Sequence, residues 1–124
     1  MWGQMANYSG NRQFKFLFEK LQPNEDVLGE FIVGFNGDWR IIFNSDGVPM
    51  FVTNKRLMLD GLFYSKEIAL KDIVSVEAFE ILSKIPAIRI TLATGKFEIG
   101  PRDPSTKERR DELLKTIQQA MKMQ

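Results

Sequence analysis

The chain has 124 residues, 44% hydrophobic and 27% charged, with 17 basic against 16 acidic side chains and a net charge of +1. This composition suits one soluble globular domain with a modest core, and near-neutrality argues against a dedicated nucleic-acid binder, which carries a basic excess. Cysteine and histidine are both absent, which excludes disulfides and thiol chemistry and removes the commonest general base and nitrogen ligand for metals.

No apolar run is long enough to span a bilayer and no signal peptide opens the chain, so a cytoplasmic setting is expected, with peripheral membrane attachment as the variant. Residues 1–10 are polar with scattered aromatics and no period, and are expected to form a flexible tail to a single domain over 11–124. From Asn11, Phe14, Leu17, Phe18 and Leu21 recur at helical spacing between charged residues, predicting an amphipathic helix ended by Pro23. Docking on the parent sheet is the favoured use of its phenylalanine stripe, a partner-binding face the alternative. Residues 27–35 read as a strand with bend or bulge points at Gly29 and Gly34. Turn residues then bracket a short apolar run, residues 39–43, which is either an edge strand or a loop with an exposed apolar tip.

Residues 48–60 spell a hairpin. With Asn54 and Lys55 as turn residues, Asn54 supplying positive φ, Val52 faces Leu57 and Met50 faces Leu59. Those four share one face, and Phe51, Thr53, Arg56 and Met58 the other. The apolar pattern continues through Leu62, Phe63 and Tyr64 after a turn at Asp60 and Gly61. Residues 67–70 form a strand with Ile68 and Leu70 inward, broken by Lys71 and Asp72. The next strand, 73–79, places Val74, Val76 and Ala78 on one face, and residues 83–86 connect it onward. Ile88, Ile90 and Leu92 alternate cleanly with polar neighbours, and a turn at 93–96 leads to Phe97 and Ile99, both inward. A capping box at residues 105–108, with Asp103 as rival cap, opens a final helix whose stripe is Leu113, Leu114, Ile117, Ala120 and Met121.

Three stretches carry a resemblance. FVTNKRLML at 51–59 resembles the "TNxRL" hairpin of bacterial pleckstrin-homology-like and GRAM domains. LQPNE at 21–25 is similar to their "L-x-x-x-E" opening, and IALKDIVSV at 68–76 to their "I-x-L-x-D-I-x-x-V" strand pair. The resemblance spans roughly residues 18–121. It implies a mainly β fold: a seven-stranded, orthogonal antiparallel sandwich or barrel closed at one end by the C-terminal helix, plus the short N-terminal helix. It also implies a leaning toward self-assembly or adaptor function.

Chemistry is thin. Glu25-Asp26 and Asp111-Glu112 are acidic pairs without calcium-loop spacing and read as solvated charge, and no phosphate-binding glycine loop is present. No catalysis, metal or cofactor is expected. Two binding constellations remain. One is apolar: Trp39, Ile41, Phe43, Phe51, Phe63 and Tyr64, with Ile42 and Met58 beside them, a candidate protein interface with another copy or another protein. The other is basic: Arg40, Lys55, Lys66, Lys71, Lys84 and Lys96, candidates for anionic lipid headgroups. Arg56 is expected instead to pair with a carboxylate on the outer face of the hairpin. The expectation is a non-catalytic interaction module, with a peripheral membrane module as the alternative.

Overall fold

The alternating apolar residues of the hairpin pair as their spacing requires. In the computed structural model, which describes residues 12–35, 47–60, 65–102 and 104–124, Met50 lies opposite Leu59 and Val52 opposite Leu57. The elements run α1 (Arg12–Glu19), β1 (Val27–Phe35), β2 (Val48–Thr53), β3 (Arg56–Asp60), β4 (Ser65–Ala69), a 3-10 turn (Leu70–Asp72), β5 (Ile73–Ile81), β6 (Ile85–Leu92), β7 (Gly95–Pro101) and α2 (Lys107–Lys122). The apolar run at 39–43 lies outside the described residues.

The seven strands form one antiparallel sheet in the order β4-β3-β2-β1-β7-β6-β5. All seven and α2 contribute to one apolar cluster, from Phe31 and Val52 through Ile68, Ile73, Ile88 and Ile99 to Leu113, Ile117 and Ala120. The sheet therefore wraps around a core that α2 plugs, as expected. Its two edges, β4 and β5, do not pair with each other, so the wrap is not closed by hydrogen bonding.

The start of α2 is one residue later than the proposed box. Thr106 is the cap, its Oγ1 accepting from the Arg109 N–H at 3.1 Å. A reciprocal glutamate is missing, because the third helical residue is Arg109. Gly29 lets the helix approach β1: a Cβ there would meet Phe31 at 2.8 Å and Thr116 of α2 at 2.9 Å. The pairing shift beside Gly29 is the bulge expected there. Gly34 sits in regular pairing instead, and the space a side chain would fill is taken by Arg102, 2.7 Å from the Cβ position.

A second layer lies on the outer face of the hairpin. Phe14 and Leu17 of α1 are buried with Val27, Ile32, Phe51 and Met58, and the Phe51 ring stacks on Phe14 at 5.6 Å and meets Phe18 edge-on at 5.3 Å. The helix docks on its own sheet, the favoured reading. Phe51 was expected at a protein interface and is not available for one, since α1 encloses it completely.

Strand β5 departs most from its pattern. Ile73 pairs with Leu92 and Val76 with Ile90, so Val74 and Ser75 together oppose Thr91. Two residues against one is a bulge, and it rotates Val74 out of the core. Val74 is 65% exposed while Val76 packs on the core, so the two do not share the face expected of them, and Ala78 is exposed. The link onward is also shorter than 83–86: β5 runs to Ile81 and β6 begins at Ile85.

Candidate functional site

The motif that carries the resemblance is occupied in holding the fold. Thr53 Oγ1 donates to Glu25 Oε2 at 2.7 Å and accepts from the Lys55 and Arg56 amides at 3.1 and 3.0 Å. That side-chain-mediated turn replaces the positive φ expected of Asn54; among described non-glycine residues positive φ falls on Asn24, Leu82 and Ser83. Asn54 Oδ1 accepts from the Asp26 amide at 2.8 Å, and its Nδ2 donates to the Asn24 carbonyl at 3.2 Å. Lys55 reaches the Pro23 carbonyl at 3.3 Å. Arg56 grips Glu25 with Nε and Nη2, both at 2.9 Å, and donates to the Lys20 carbonyl just beyond α1 at 2.8 Å, with Glu67 as a further partner. The pairing expected of Arg56 is present, and it ties α1 and residues 20–25 to the hairpin.

Glu25 is thus not the solvated charge expected; it is buried. Burial alone would push its carboxyl up, but the hydrogen bonds from Arg56, the Gln22 amide and Thr53 outweigh this and hold it below the usual range. Glu30 is the contrasting case. It pairs with Phe51 across β1 and β2, on the face α1 covers, is 9% exposed, and its Oε2 has no hydrogen-bond partner. Burial raises its pKa to about 7, with Arg109 pulling weakly the other way. Neither carboxylate is among the residues lining the two clefts described next, and the described residues contain no cluster of metal-ligating side chains.

The open flank lies elsewhere, between and beside the two free edges. A cleft of about 540 Å³ separates β4 from β5, lined by Lys66, Glu67, Ile68, Lys71, Asp72, Ile73 and residues 92–94. It brings together two of the basic candidates, Lys66 and Lys71, with Glu67 and Asp72 also in the lining and Glu67 paired to Arg56. Lys66 Nζ also sits 5.3 Å over the Phe97 ring. Lys96 is exposed near the start of β7, and Lys84 in the turn between β5 and β6, so the described basic candidates form no single cluster. Arg40, Trp39, Ile41, Phe43, Phe63 and Tyr64 lie outside the described residues.

Further along β5, a groove of about 480 Å³ runs between the strand and α2, lined by Ser75, Val76, Gln118, Met121 and Lys122. Val76 and Met121 supply an apolar floor on the core's margin, and Ser75, Gln118 and Lys122 an exposed rim. Along the opposite face of β5, Glu77, Arg89 and Glu98 form a cross-strand ladder at 3.4 and 2.9 Å. Sequence reasoning missed this groove, because alternation is the same for a strand at an edge and one inside a sheet.

Solved structures settle the architecture. The PH-bearing linker-DH/PH chain of p115-RhoGEF matches with a TM-score of 0.61 at 11% identity, over 87% of this chain and 33% of that one. The Vps36 N-terminal PH domain matches at 0.60 and 12% identity, covering 82% of this chain and 86% of that one. The chain has a pleckstrin-homology-like fold. A third similar structure is the C-terminal domain of an unknown protein from Leishmania infantum, at a TM-score of 0.62 and 12% identity, over 94% and 97% of the two chains. At such identities the likeness of this PH-like chain is one of fold alone, and the chain spans only a third of the p115-RhoGEF structure. No protein-family profile and no curated protein matches it.

Proposed function

We propose that this PH-like chain is a non-catalytic interaction module that takes up an extended protein segment along the free edge of β5, with a second copy of the chain as the first segment to test. One observation carries the reading: a nine-residue strand lies at the sheet margin, its outer edge unpaired among the described residues, beside an apolar-floored groove against α2. An added strand gains main-chain hydrogen bonds from such an edge, and every second side chain drops toward the groove. Long free edges are normally blunted. Here the protection consists of the bulge at Val74 and the charges of Glu77 and Glu80, while β4 has only five residues.

Two features support the absence of catalysis: the lack of histidine and cysteine and the commitment of Glu25 to Arg56 and Thr53. Headgroup binding in the β4–β5 cleft is the weaker reading, because Glu67 and Asp72 accompany Lys66 and Lys71 there. The hairpin residues 53–57 support placing the chain near the bacterial and GRAM-like branch of the fold, working in the cytoplasm.

The test is a double variant, Ser75→Arg with Gln118→Arg, which fills the groove from two exposed positions. Light scattering across a concentration series reads self-association, and peptides selected from a display library read capture of other segments. The variant should melt like the wild type, since exposed substitutions stay within about 0.5 kcal/mol, and should lose whichever association the wild type shows. Full retention of that association by a folded double variant contradicts the reading.

A further inference from the structure

The turn between β5 and β6 is built against local preference. Its residues Leu82 and Ser83 both have positive φ, 54° and 57°, and the Lys84 amide closes it onto the Ile81 carbonyl at 3.0 Å. Tight hairpins with two such residues strongly favour Asn and Gly, which enter this region at little cost, whereas a leucine is strained there. Leu82 gains nothing from packing in return: it is 83% exposed. Ile85 beside it is 44% exposed and Ile81 half-buried. A strained backbone that presents a large apolar side chain to water points to use outside the chain.

The charges around the tip narrow the partner. Between Ile81 and Pro86 the single charged side chain is Lys84. The nearest carboxylate along β5, Glu80, is paired to Lys107 of α2 at 3.4 Å, and no ion pair engages Lys84 among the described residues. An apolar, protruding tip that also carries one unbalanced cation, Lys84 in the same turn, suits an anionic membrane interface: hydrocarbon around Leu82, and anionic groups within reach of a lysine that extends its ammonium back toward them. A protein pocket would need a complementary shape, while a bilayer asks only for a projecting apolar tip.

We infer that the β5–β6 hairpin tip, Leu82 and Lys84 in the turn with Ile81 and Ile85 flanking it, inserts into the interface of an anionic membrane. This surface differs from the lysine-lined cleft between β4 and β5, and the inference stands without any segment bound along β5. One wedge and one cation make a weak, reversible anchor, so binding should fall as salt rises.

The chain lacks cysteine, so Ser83→Cys accepts a single environment-sensitive fluorophore. With vesicles of phosphatidylcholine and phosphatidylserine in equal parts, the label should shift to the blue and the protein should co-sediment; pure phosphatidylcholine should capture less. Leu82→Gly relieves the turn, so it should melt no lower than the wild type while binding vesicles about tenfold more weakly. Lys84→Gln should weaken binding to the anionic vesicles about fivefold. Leu82→Asn, polar but tolerant of the same φ, serves if the glycine variant folds poorly. Folded Leu82 variants that sediment like the wild type, or a label that stays in water, overturn the inference. So does a drop in mass by light scattering on Leu82→Gly, which would seat the tip in a second copy.

Discussion

Two buried carboxylates, five residues apart in sequence, are treated in opposite ways. Glu25 accepts from Arg56 twice, from Thr53 and from the Gln22 amide; Glu30 Oε2 accepts from nothing. Removing one partner of the first group leaves a buried charge uncompensated. Arg56→Met should therefore cost about 3–5 kcal/mol in urea denaturation, and adding Glu25→Met should recover part of it. The folded pKa of Glu25 lies below its ordinary value, so the stability it adds is present above that value and is lost as pH falls through the folded one. Glu30 runs the other way. Its folded pKa is raised from 4.5 to about 7, so it favours the fold at low pH, and that contribution disappears as pH rises through about 7. Glu30→Gln should accordingly raise the denaturation midpoint more at about pH 8 than at about pH 5. An equal gain at both would mean that the glutamate is ionised throughout.

At the scale of elements, both helices act as lids, one on each side of the hairpin sheet. Phe51→Ala should cost about 3–5 kcal/mol because it empties the layer under α1, and Leu113→Ala or Ile117→Ala about 2–5 kcal/mol under α2. Lys115 and Gln119, exposed on the same helix, should tolerate alanine with changes near 0.5 kcal/mol or less. Thermal denaturation separates the two sets, and equal losses would contradict the buried face assigned to α2. These faces were legible beforehand: the period-two hairpin, the alternation of Ile88, Ile90 and Leu92, and the helical stripe each declare their buried side. What was illegible depended on contacts distant in sequence. Phe51 reads as a candidate interface residue until α1, more than thirty residues earlier, is known to lie on it. The bulge at Val74 is decided by pairing with β6, and without it Val74 reads as sharing one face with Val76 and Ala78. The turn at Leu82 and Ser83 has neither glycine nor asparagine to announce it. The Arg56–carboxylate pair was readable, but the identity of its partner as Glu25 required the fold.

For the whole molecule, the order of strands decides where anything can bind. Wrapping leaves β4 and β5 as margins; α1 covers one face of the hairpin and α2 plugs the core, so among the described residues the unpaired backbone of the sheet lies along β5 and the shorter β4. With net charge +1 and an apolar groove floor, association along β5 should depend little on ionic strength, whereas capture by anionic vesicles through the Leu82 tip should weaken with salt. Comparing the two in the same buffers separates the surfaces. The most direct measurement is an amide-resolved NMR titration of the labelled chain, first against itself over a concentration series and then against selected peptides. The expected result is a set of shifts confined to Ile73–Ile81 and to the Gln118, Met121 and Lys122 side of α2. Shifts centred on α1 and the β2–β3 hairpin, with β5 unmoved, would contradict it.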